Sequence, residues 1–457
     1  MKKTLIIIIF IISLFAILPL VGNKFAQKLL NEKIIKLNSV GIEINEKVDS
    51  SYLTTINHYE FILSDTEKFL QYLSQYANKQ LPLYVKSLSN GVKIGVDLEY
   101  SNFPFTKAVK IDIYPLSLSR EITLSLKKNS PVFFNQLQDF FDSKGILYHL
   151  NYNLLNNDFD GYIKNINKDF FLSNSIKISL LLKDALFHGN GDLIAPTTFT
   201  SSVKSTSIAI KDSLNNNLVK INNMSTNSNF ESHSTYLNSI NIGSITIIHE
   251  DNNDLFKLNV FNSNTNISSN IQDKKAELYF KNSFKDLLIT TKTEEYEFLD
   301  FNSDFSLSNI DKKSLENIRL IVVNMKNYNR IYFEEKIQKE FISLFSKGLL
   351  FNIADFSVKE IYTTNNNIGS FCVKSSFELE SDKNFAKKLE YAPIFLLEDI
   401  NTAVKIKLSK KLFNLLLESK PILKIIQNYG LIEGDALVYE VIFRRGEFRI
   451  NGKALPF

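Results

Sequence analysis

The chain has 457 residues, of which 44% are hydrophobic and 22% charged, and its formal net charge is +4. This composition is ordinary for globular protein, and so small and dispersed a charge argues against nucleic-acid binding. The single cysteine, Cys372, excludes a disulfide within the chain.

The N-terminal sequence MKKTLIIIIFIISLFAILPLV contains an uncharged apolar run over residues 4–21. A helix of this length extends about 27 Å, close to the thickness of the hydrocarbon core of a bilayer. We therefore expect residues 1–22 to be a membrane anchor that contacts lipid through residues 4–21. A cleaved signal peptide is the alternative. The apolar run of a signal peptide is usually about 7–15 residues long and ends at a small-x-small site, whereas the run here extends over residues 4–21.

The lysines around this run do not decide its orientation. Lys2 and Lys3 precede it, whereas Lys24 and Lys28 follow closely, so the positive-inside count is nearly balanced. Long domains translocate largely regardless of charge. We expect a cytoplasmic N-terminus and an exported remainder.

Residues 23–38 have the periodicity of an amphipathic helix that continues the anchor as a stalk. The apolar stripe consists of Phe25, Leu29, Leu30, Ile34 and Leu37, with Lys and Gln side chains opposite. Docking on the protein's own domain, homodimerisation and contact with lipid headgroups are three uses of such a stripe.

Two helices are expected in the region that follows an extended stretch at 52–63. The first begins at Ser64 or Asp65, where Glu67 stands at capping-box spacing from Ser64. The second spans 130–143 and opens with Ser130-Pro131, a favoured pair at helix N-termini.

Alternation of apolar and polar residues predicts many antiparallel strands, each with one buried face. Asn, Ser, Asp and Gly separate the alternating runs and supply turn chemistry. The runs are 92–98, 109–114, 121–126, 146–154, 176–180, 203–211, 240–248, 255–261 and 276–280. The sequence therefore predicts long, meandering antiparallel sheet.

The C-terminal third mixes helices and strands. Asp311 is expected to cap a helical region over 312–349 that breaks near 327–329. Strands are expected at 353–362 and 371–379, and helices at 382–397 and 409–429, where Pro421 should split the second. The chain should end in a hairpin that turns at Arg444, Arg445 and Gly446.

The expected fold class is α+β: one N-terminal transmembrane helix, then a large antiparallel-sheet body with flanking helices. We divide it into an anchor (1–22), a stalk (23–38), a strand-rich exported region (39–310) and a mixed C-terminal region (311–457).

The C-terminal sequence EGDALVYEVIFRRGEFRINGKALPF resembles the closing hairpin of the YdgA-like family. The matching positions are Gly434, Tyr439, Gly446, Asn451, Gly452, Leu455 and Pro456. The resemblance implies a protein of the bacterial inner membrane, single-pass, with most of its chain in the periplasm. It implies no catalytic residue, because the family's biochemical role is uncharacterised.

No local pattern in the sequence indicates catalysis, a cofactor or a metal. None of the five histidines stands at i, i+3 or i+4 from another, and only His233 and His249, on separate expected strands, are close in sequence. Ser125 and Lys128 fit Ser-x-x-Lys, but they lie in the alternating run 121–126 and just beyond it rather than at a helix start. Cys372, between Phe371 and Val373, is expected to be a buried small hydrophobe.

The chain is rich in aromatic residues, with 37 Phe and 19 Tyr. Most are expected to pack the sheet, although a curved sheet lined with Phe, Ile and Leu could hold an acyl chain. We therefore expect a non-enzymatic protein that binds an envelope lipid or protein. A structural homodimer and an envelope hydrolase whose residues converge only in the fold are the alternatives.

Overall fold

The computed structural model describes residues 38–77, 89–103, 108–173, 175–192, 196–232, 234–272, 274–323, 325, 329–364, 366–420 and 423–454. The expected membrane segment 4–21 and residues 23–37 of the stalk lie outside these ranges, as do His233, Pro421, Leu455 and Pro456. Within the described ranges, no helix combines the length and the apolar character needed to cross a bilayer.

The chain divides into two compact units, Met1–Ser213 and Leu214–Phe457. Strands dominate both units, and every strand pair described below is antiparallel. The expected large antiparallel sheet with accompanying helices is thus confirmed.

The first unit contains nine described strands and three described helices. In chain order they are β1 (Ile42–Ser50), β2 (Thr54–Leu63), α1 (Thr66–Ala77), β3 (Lys93–Ser101), β4 (Ala108–Ser117), α2 (Arg120–Asn129), α3 (Pro131–Asp142), β5 (Tyr148–Asn153), β6 (Asp158–Ile163), β7 (Ile166–Phe171), β8 (Lys177–Gly191) and β9 (Pro196–Lys211). Strands β1 to β6 pair in chain order. Strands β6 and β7 then pair with successive parts of β8, which also pairs with β9.

Two apolar cores hold this unit together. Tyr59, Val96, Leu98 and Val109 form a core on one face of β2, β3 and β4. Helix α3 covers Phe170 of β7, which is 1% exposed and makes edge contacts with Phe133 and Phe140.

The second unit contains twelve described strands, five described α-helices and one 3-10 helix. In chain order they are β10 (Asn216–Phe230), β11 (Tyr236–Glu250), β12 (Leu255–Gln272), β13 (Lys275–Thr291), β14 (Glu295–Asp311), α4 (Lys312–Val323), α5 (Arg330–Ser346), β15 (Leu349–Thr363), β16 (Asn366–Leu379), α6 (Phe385–Tyr391), the 3-10 helix (Pro393–Asp399), β17 (Ile400–Ser409), α7 (Lys410–Ser419), α8 (Leu423–Gln427), β18 (Leu431–Glu433), β19 (Ala436–Arg444), β20 (Glu447–Ile450) and β21 (Lys453–Ala454).

Strands β10 to β17 pair in chain order as a long meander. Strand β17 then pairs with β19, which also pairs with β18 and β20, and β20 pairs with β21. The helices interrupt the meander between β14 and β15, between β16 and β17, and between β17 and β18.

Several expected caps and turns are present. The Asp311 carboxylate accepts the Ser314 N–H at 2.8 Å and so caps α4, and helix α5 begins after the expected break. The hairpin β19–β20 turns at Arg445 and Gly446, both with positive φ, as a type I′ turn requires. At helix α1 the cap is Asp65, whose carboxylate accepts the Lys68 N–H, rather than Ser64.

One expected strand, 121–126, is instead the middle of helix α2. The Ser119 hydroxyl accepts the Ile122 N–H, Glu121 lies in the first turn, and Lys127 and Lys128 lie in the last. These residues favour a helix through capping and the helix dipole. No residue of α2 is buried, so its period-2 pattern does not mark a buried face.

The helical region expected at 382–397 is also different. It forms the short helix α6 and the 3-10 helix, joined at Ala392. Strand β17 follows directly, and the sequence pattern did not predict it. The patterns also missed β1, β6, β7, β10, β14, β18 and β21.

Candidate functional site

Two rows of apolar side chains cross the strands of the second unit. Directly opposite residues of an antiparallel pair lie on the same face of the sheet, so the register defines each row. The first row is Ile221, Ile245, Val260, Leu287, Phe298 and Ile361, and the second is Val219, Ile247, Leu258, Ile289 and Tyr296. Six strands place the ends of the first row about 24 Å apart. We call these two sets the apolar rows.

The face opposite the apolar rows is largely polar. The register aligns Lys220, Thr246, Asn259, Leu288 and Glu297 across β10 to β14, one residue away from the apolar rows on each strand. The Thr246 hydroxyl donates to the Asn259 side chain at 3.0 Å. Each of these strands therefore separates an apolar face from a largely polar one.

Phenylalanines continue the apolar face beyond a kink in the strands. Phe284 and Phe301 stack with ring centroids 4.5 Å apart, and Phe356 contacts Phe301 at 5.8 Å. Phe298 and Phe301 both pack against the core of Val358 and Ile361, although residues three apart face opposite sides of a regular strand. Asp300 between them has φ of 51°, and this left-handed residue turns Phe301 onto the same face.

The same kind of kink recurs on alternate strands of the meander. Asn223 of β10 and Asn262 of β12 have φ of 51° and 52°. Asn and Asp are the non-glycine residues that best tolerate this conformation. At these positions, as at Asp300, the left-handed residue interrupts the regular alternation of side chains along the strand.

The helices that the structure describes cover only part of this apolar face. Helix α5 places Leu344 against Ala276 and Ile310, and helix α7 places Leu412 against Val358 and Ile361. On β10 to β13 the apolar rows are half-buried, and Val219 keeps 41% of its surface exposed. These half-buried aliphatic side chains form a surface suited to an apolar ligand.

The residues of the tail resemblance lie in and around the β19–β20 hairpin. Tyr439 is 3% exposed, its ring lies 6.0 Å from that of Phe413, and burial raises the pKa of its hydroxyl. Gly434, Gly446 and Gly452 occupy turns with positive φ. Leu455 and Pro456 lie outside the described residues.

Asn451 braces the hairpin through its side chain. Its amide nitrogen donates to the carbonyls of Tyr429 at 2.6 Å and Val438 at 2.9 Å, and its amide oxygen accepts the Glu440 N–H at 2.7 Å. The residue also adopts a left-handed φ of 48°. The described tail residues therefore build the closing structure of the second unit.

The first unit contains a row of polar side chains that no sequence pattern indicated. Its members are His58, Asp97, Asp112 and His149, which stand directly opposite one another on β2, β3, β4 and β5. The Asp97 carboxylate accepts from His58 at 2.8 Å, and that of Asp112 lies 2.6 Å from His149 Nδ1. We call these four residues the polar ladder.

Asp97 also accepts hydrogen bonds from two residues outside the polar ladder. The Lys144 ammonium reaches it at 2.6 Å and the Tyr114 hydroxyl at 2.9 Å. Partial burial opposes ionisation, but hydrogen bonds from Lys144, His58 and Tyr114 outweigh it and hold the pKa of Asp97 below its ordinary value. Two carboxylates standing opposite each other would repel, so these donors let Asp97 and Asp112 share adjacent strands.

The lowered pKa of Asp97 predicts a specific acid sensitivity. A carboxyl group with a lower pKa in the folded state stabilises the fold fully above its unfolded pKa of about 3.9, and this stabilisation disappears as the pH falls through the folded value. Asp97→Asn should therefore cost about 1.5–3 kcal/mol at pH 7 and progressively less below pH ~4. Urea unfolding of the full chain at several pH values, followed by hydrogen exchange in β3, measures the difference. A cost that stays constant down to the lowest pH would contradict this assignment.

The structure also describes the sequence candidates His249, Ser125 and Cys372, whereas His233 lies outside the described residues. His249 Nδ1 lies 2.6 Å from the Asn217 side chain, and Ser125 lies within α2 rather than on a strand. Cys372 is half-buried 3.7 Å from Asp355, and burial together with that carboxylate raises the pKa of its thiol. Among the described residues, no group of three His, Cys, Asp or Glu side chains could hold a metal ion.

Comparison of the chain with protein families, with curated proteins and with solved structures finds no match. The geometry of the second unit therefore carries the functional argument. The sequence indicated strands rich in Phe, Ile and Leu, but the alignment of these residues into rows depends on register.

Proposed function

We propose that this chain is a YdgA-like envelope protein that binds lipid acyl chains along the apolar rows of its second unit. In this proposal residues 4–21 anchor it in a bacterial inner membrane as a single pass, and the remaining chain lies in the periplasm. Its role is to hold a lipid rather than to catalyse a reaction. The observation that carries the proposal is the continuity of the apolar rows across β10 to β14.

The chemistry of the apolar rows fits an acyl chain. The rows contain aliphatic and aromatic side chains without a charged residue, and an acyl chain offers only apolar surface in return. Burying on the order of 300 Å² of apolar surface contributes about 7 kcal/mol before the costs of association. The long, narrow outline of two parallel rows suits an extended chain better than a compact ligand.

Two neighbouring residues allow a matched test of this proposal. Leu287 belongs to the first apolar row, because it stands opposite Phe298, whereas Leu288 stands opposite Glu297 on the other face. Leu287→Lys should weaken the binding of a fluorescent fatty acid to the full chain at least about tenfold, which corresponds to about 1.4 kcal/mol. Leu288→Lys introduces the same charge on the polar face and should leave binding within about twofold of the parent.

Binding is measured by fluorescence titration of the full chain in membrane nanodiscs, with empty nanodiscs subtracted. Equal loss in both variants would indicate a general effect of charge or folding, and no loss in Leu287→Lys would remove the apolar rows as the site. Either result would sink the proposal.

A further inference from the structure

Five large apolar side chains of the second unit project from one short segment between β16 and β17. They are Leu389, Tyr391, Ile394, Phe395 and Leu397, with exposed fractions of 41%, 77%, 68%, 52% and 38%. Single exposed apolar residues are ordinary, but five within nine consecutive positions are not. We call this group the apolar tip.

The segment is held firmly at its base. Lys388 forms ion pairs with Asp382 at 2.9 Å and with Asp399 at 2.7 Å, so one ammonium joins the two ends of the segment. Phe385, 6% exposed, contacts the ring of Phe345 on α5. These contacts hold the base of the segment, whereas the side chains of the apolar tip remain exposed.

The backbone of the segment is largely satisfied within it. The Ala392 N–H donates to the Lys388 carbonyl and the Phe395 N–H to the Ala392 carbonyl, both at 3.0 Å. Backbone groups that enter lipid must be paired in this way, because the bilayer offers no water to replace the missing partners. A short α-helix followed by a 3-10 helix meets this requirement.

The size of the apolar tip favours a bilayer over a protein partner. Five partly exposed side chains of this kind offer on the order of 500 Å². A stable protein interface needs about 800 Å² from each partner and a complementary surface, whereas a bilayer accepts a projecting apolar group of any shape. Tyr391 is a residue type enriched at the membrane–water interface. Lys387, Glu390 and Glu398 give the segment mixed charge, so apolar burial rather than attraction to anionic lipid must drive contact.

We propose that the apolar tip inserts into the boundary between headgroups and acyl chains of a phospholipid bilayer. This site is distinct from the apolar rows and does not depend on what they bind. It gives the second unit a membrane contact of its own.

The absence of tryptophan from the chain makes the test direct. Phe395→Trp places a single reporter in the apolar tip, and Leu186→Trp places one at a similarly exposed position on β8, where Leu186 is 55% exposed. The full-length chain carrying either variant is mixed with phosphatidylcholine vesicles, with and without lipids brominated near the headgroup end of the acyl chain. Phe395→Trp should show a blue-shifted emission and strong quenching by the brominated lipids, with little change at high salt. Leu186→Trp should show neither.

A second substitution separates insertion from simple proximity. Ile394 is 68% exposed, so Ile394→Asp in the Phe395→Trp background should leave the fold intact, as judged by circular dichroism, and abolish both the shift and the quenching. Three results would overturn the proposal: an unshifted and unquenched Trp at position 395, equal quenching at position 186, or a shift that grows with protein concentration without vesicles. The last would indicate a second copy of the chain as the occupant.

Discussion

Replacing Phe413 with alanine is expected to lower the free energy of unfolding of the second unit by about 3–5 kcal/mol. Phe413 is 1% exposed and lies at the centre of a core with Tyr439 and Ile450. It joins helix α7 to the hairpin β19–β20, and its ring lies 6.0 Å from that of Tyr439. Its removal leaves a cavity that β19 cannot close, because pairing with β17 fixes its position.

The same helix supplies a control for Phe413. Leu415 is 48% exposed, so Leu415→Ala should change the stability by less than about 1 kcal/mol. Urea unfolding of the full chain, with hydrogen exchange of residues 436–450 as a local probe, measures both variants. Similar losses for Phe413→Ala and Leu415→Ala would show that this core does not hold the hairpin.

Asn451→Ala is expected to cost about 2–4 kcal/mol in the same measurement. Alanine removes the donors to the Tyr429 and Val438 carbonyls and the acceptor for the Glu440 N–H. It must also adopt a left-handed φ of 48° without the local hydrogen bonds that make this conformation tolerable for asparagine.

A glycine substitution at position 451 separates the contribution of the side-chain hydrogen bonds from that of the backbone conformation. Asn451→Gly relieves the backbone strain but loses the same three hydrogen bonds, so it should recover only about 1 kcal/mol relative to alanine. Full recovery with glycine would mean that the side-chain hydrogen bonds contribute nothing and that Asn451 is simply a turn residue.

Much of the fold followed from local signals in the sequence. Asp311 caps α4 as expected, because an aspartate before a helical stripe can accept the exposed N–H groups of the first turn. The hairpin turn at Arg445 and Gly446 lies where the alternating runs stop. Alternation of apolar and polar residues located most of the long strands, because each of them has an apolar face and a polar face.

Other features depend on interactions that no local pattern encodes. In α2, capping at Ser119 outweighs the alternation of Ile122, Leu124 and Leu126, since none of these residues is buried. The polar ladder joins His58 to Asp97 and Asp112 to His149, which only the strand register brings together. Asp300 has a left-handed backbone conformation that changes the face on which the following side chains of β14 lie. Simple alternation therefore does not predict the face of residues on both sides of Asp300.

Photo-crosslinking tests most directly whether an acyl chain lies along the apolar rows. A palmitic acid carrying a diazirine near its methyl end is irradiated with the full chain in membranes, and the adducts are mapped by peptide mass spectrometry. We expect adducts concentrated on row residues of β10 to β14, such as Val260 and Leu287, and saturable by unlabelled fatty acid. Adducts that spread evenly over both faces of the sheet, or that palmitate fails to displace, would contradict the claim.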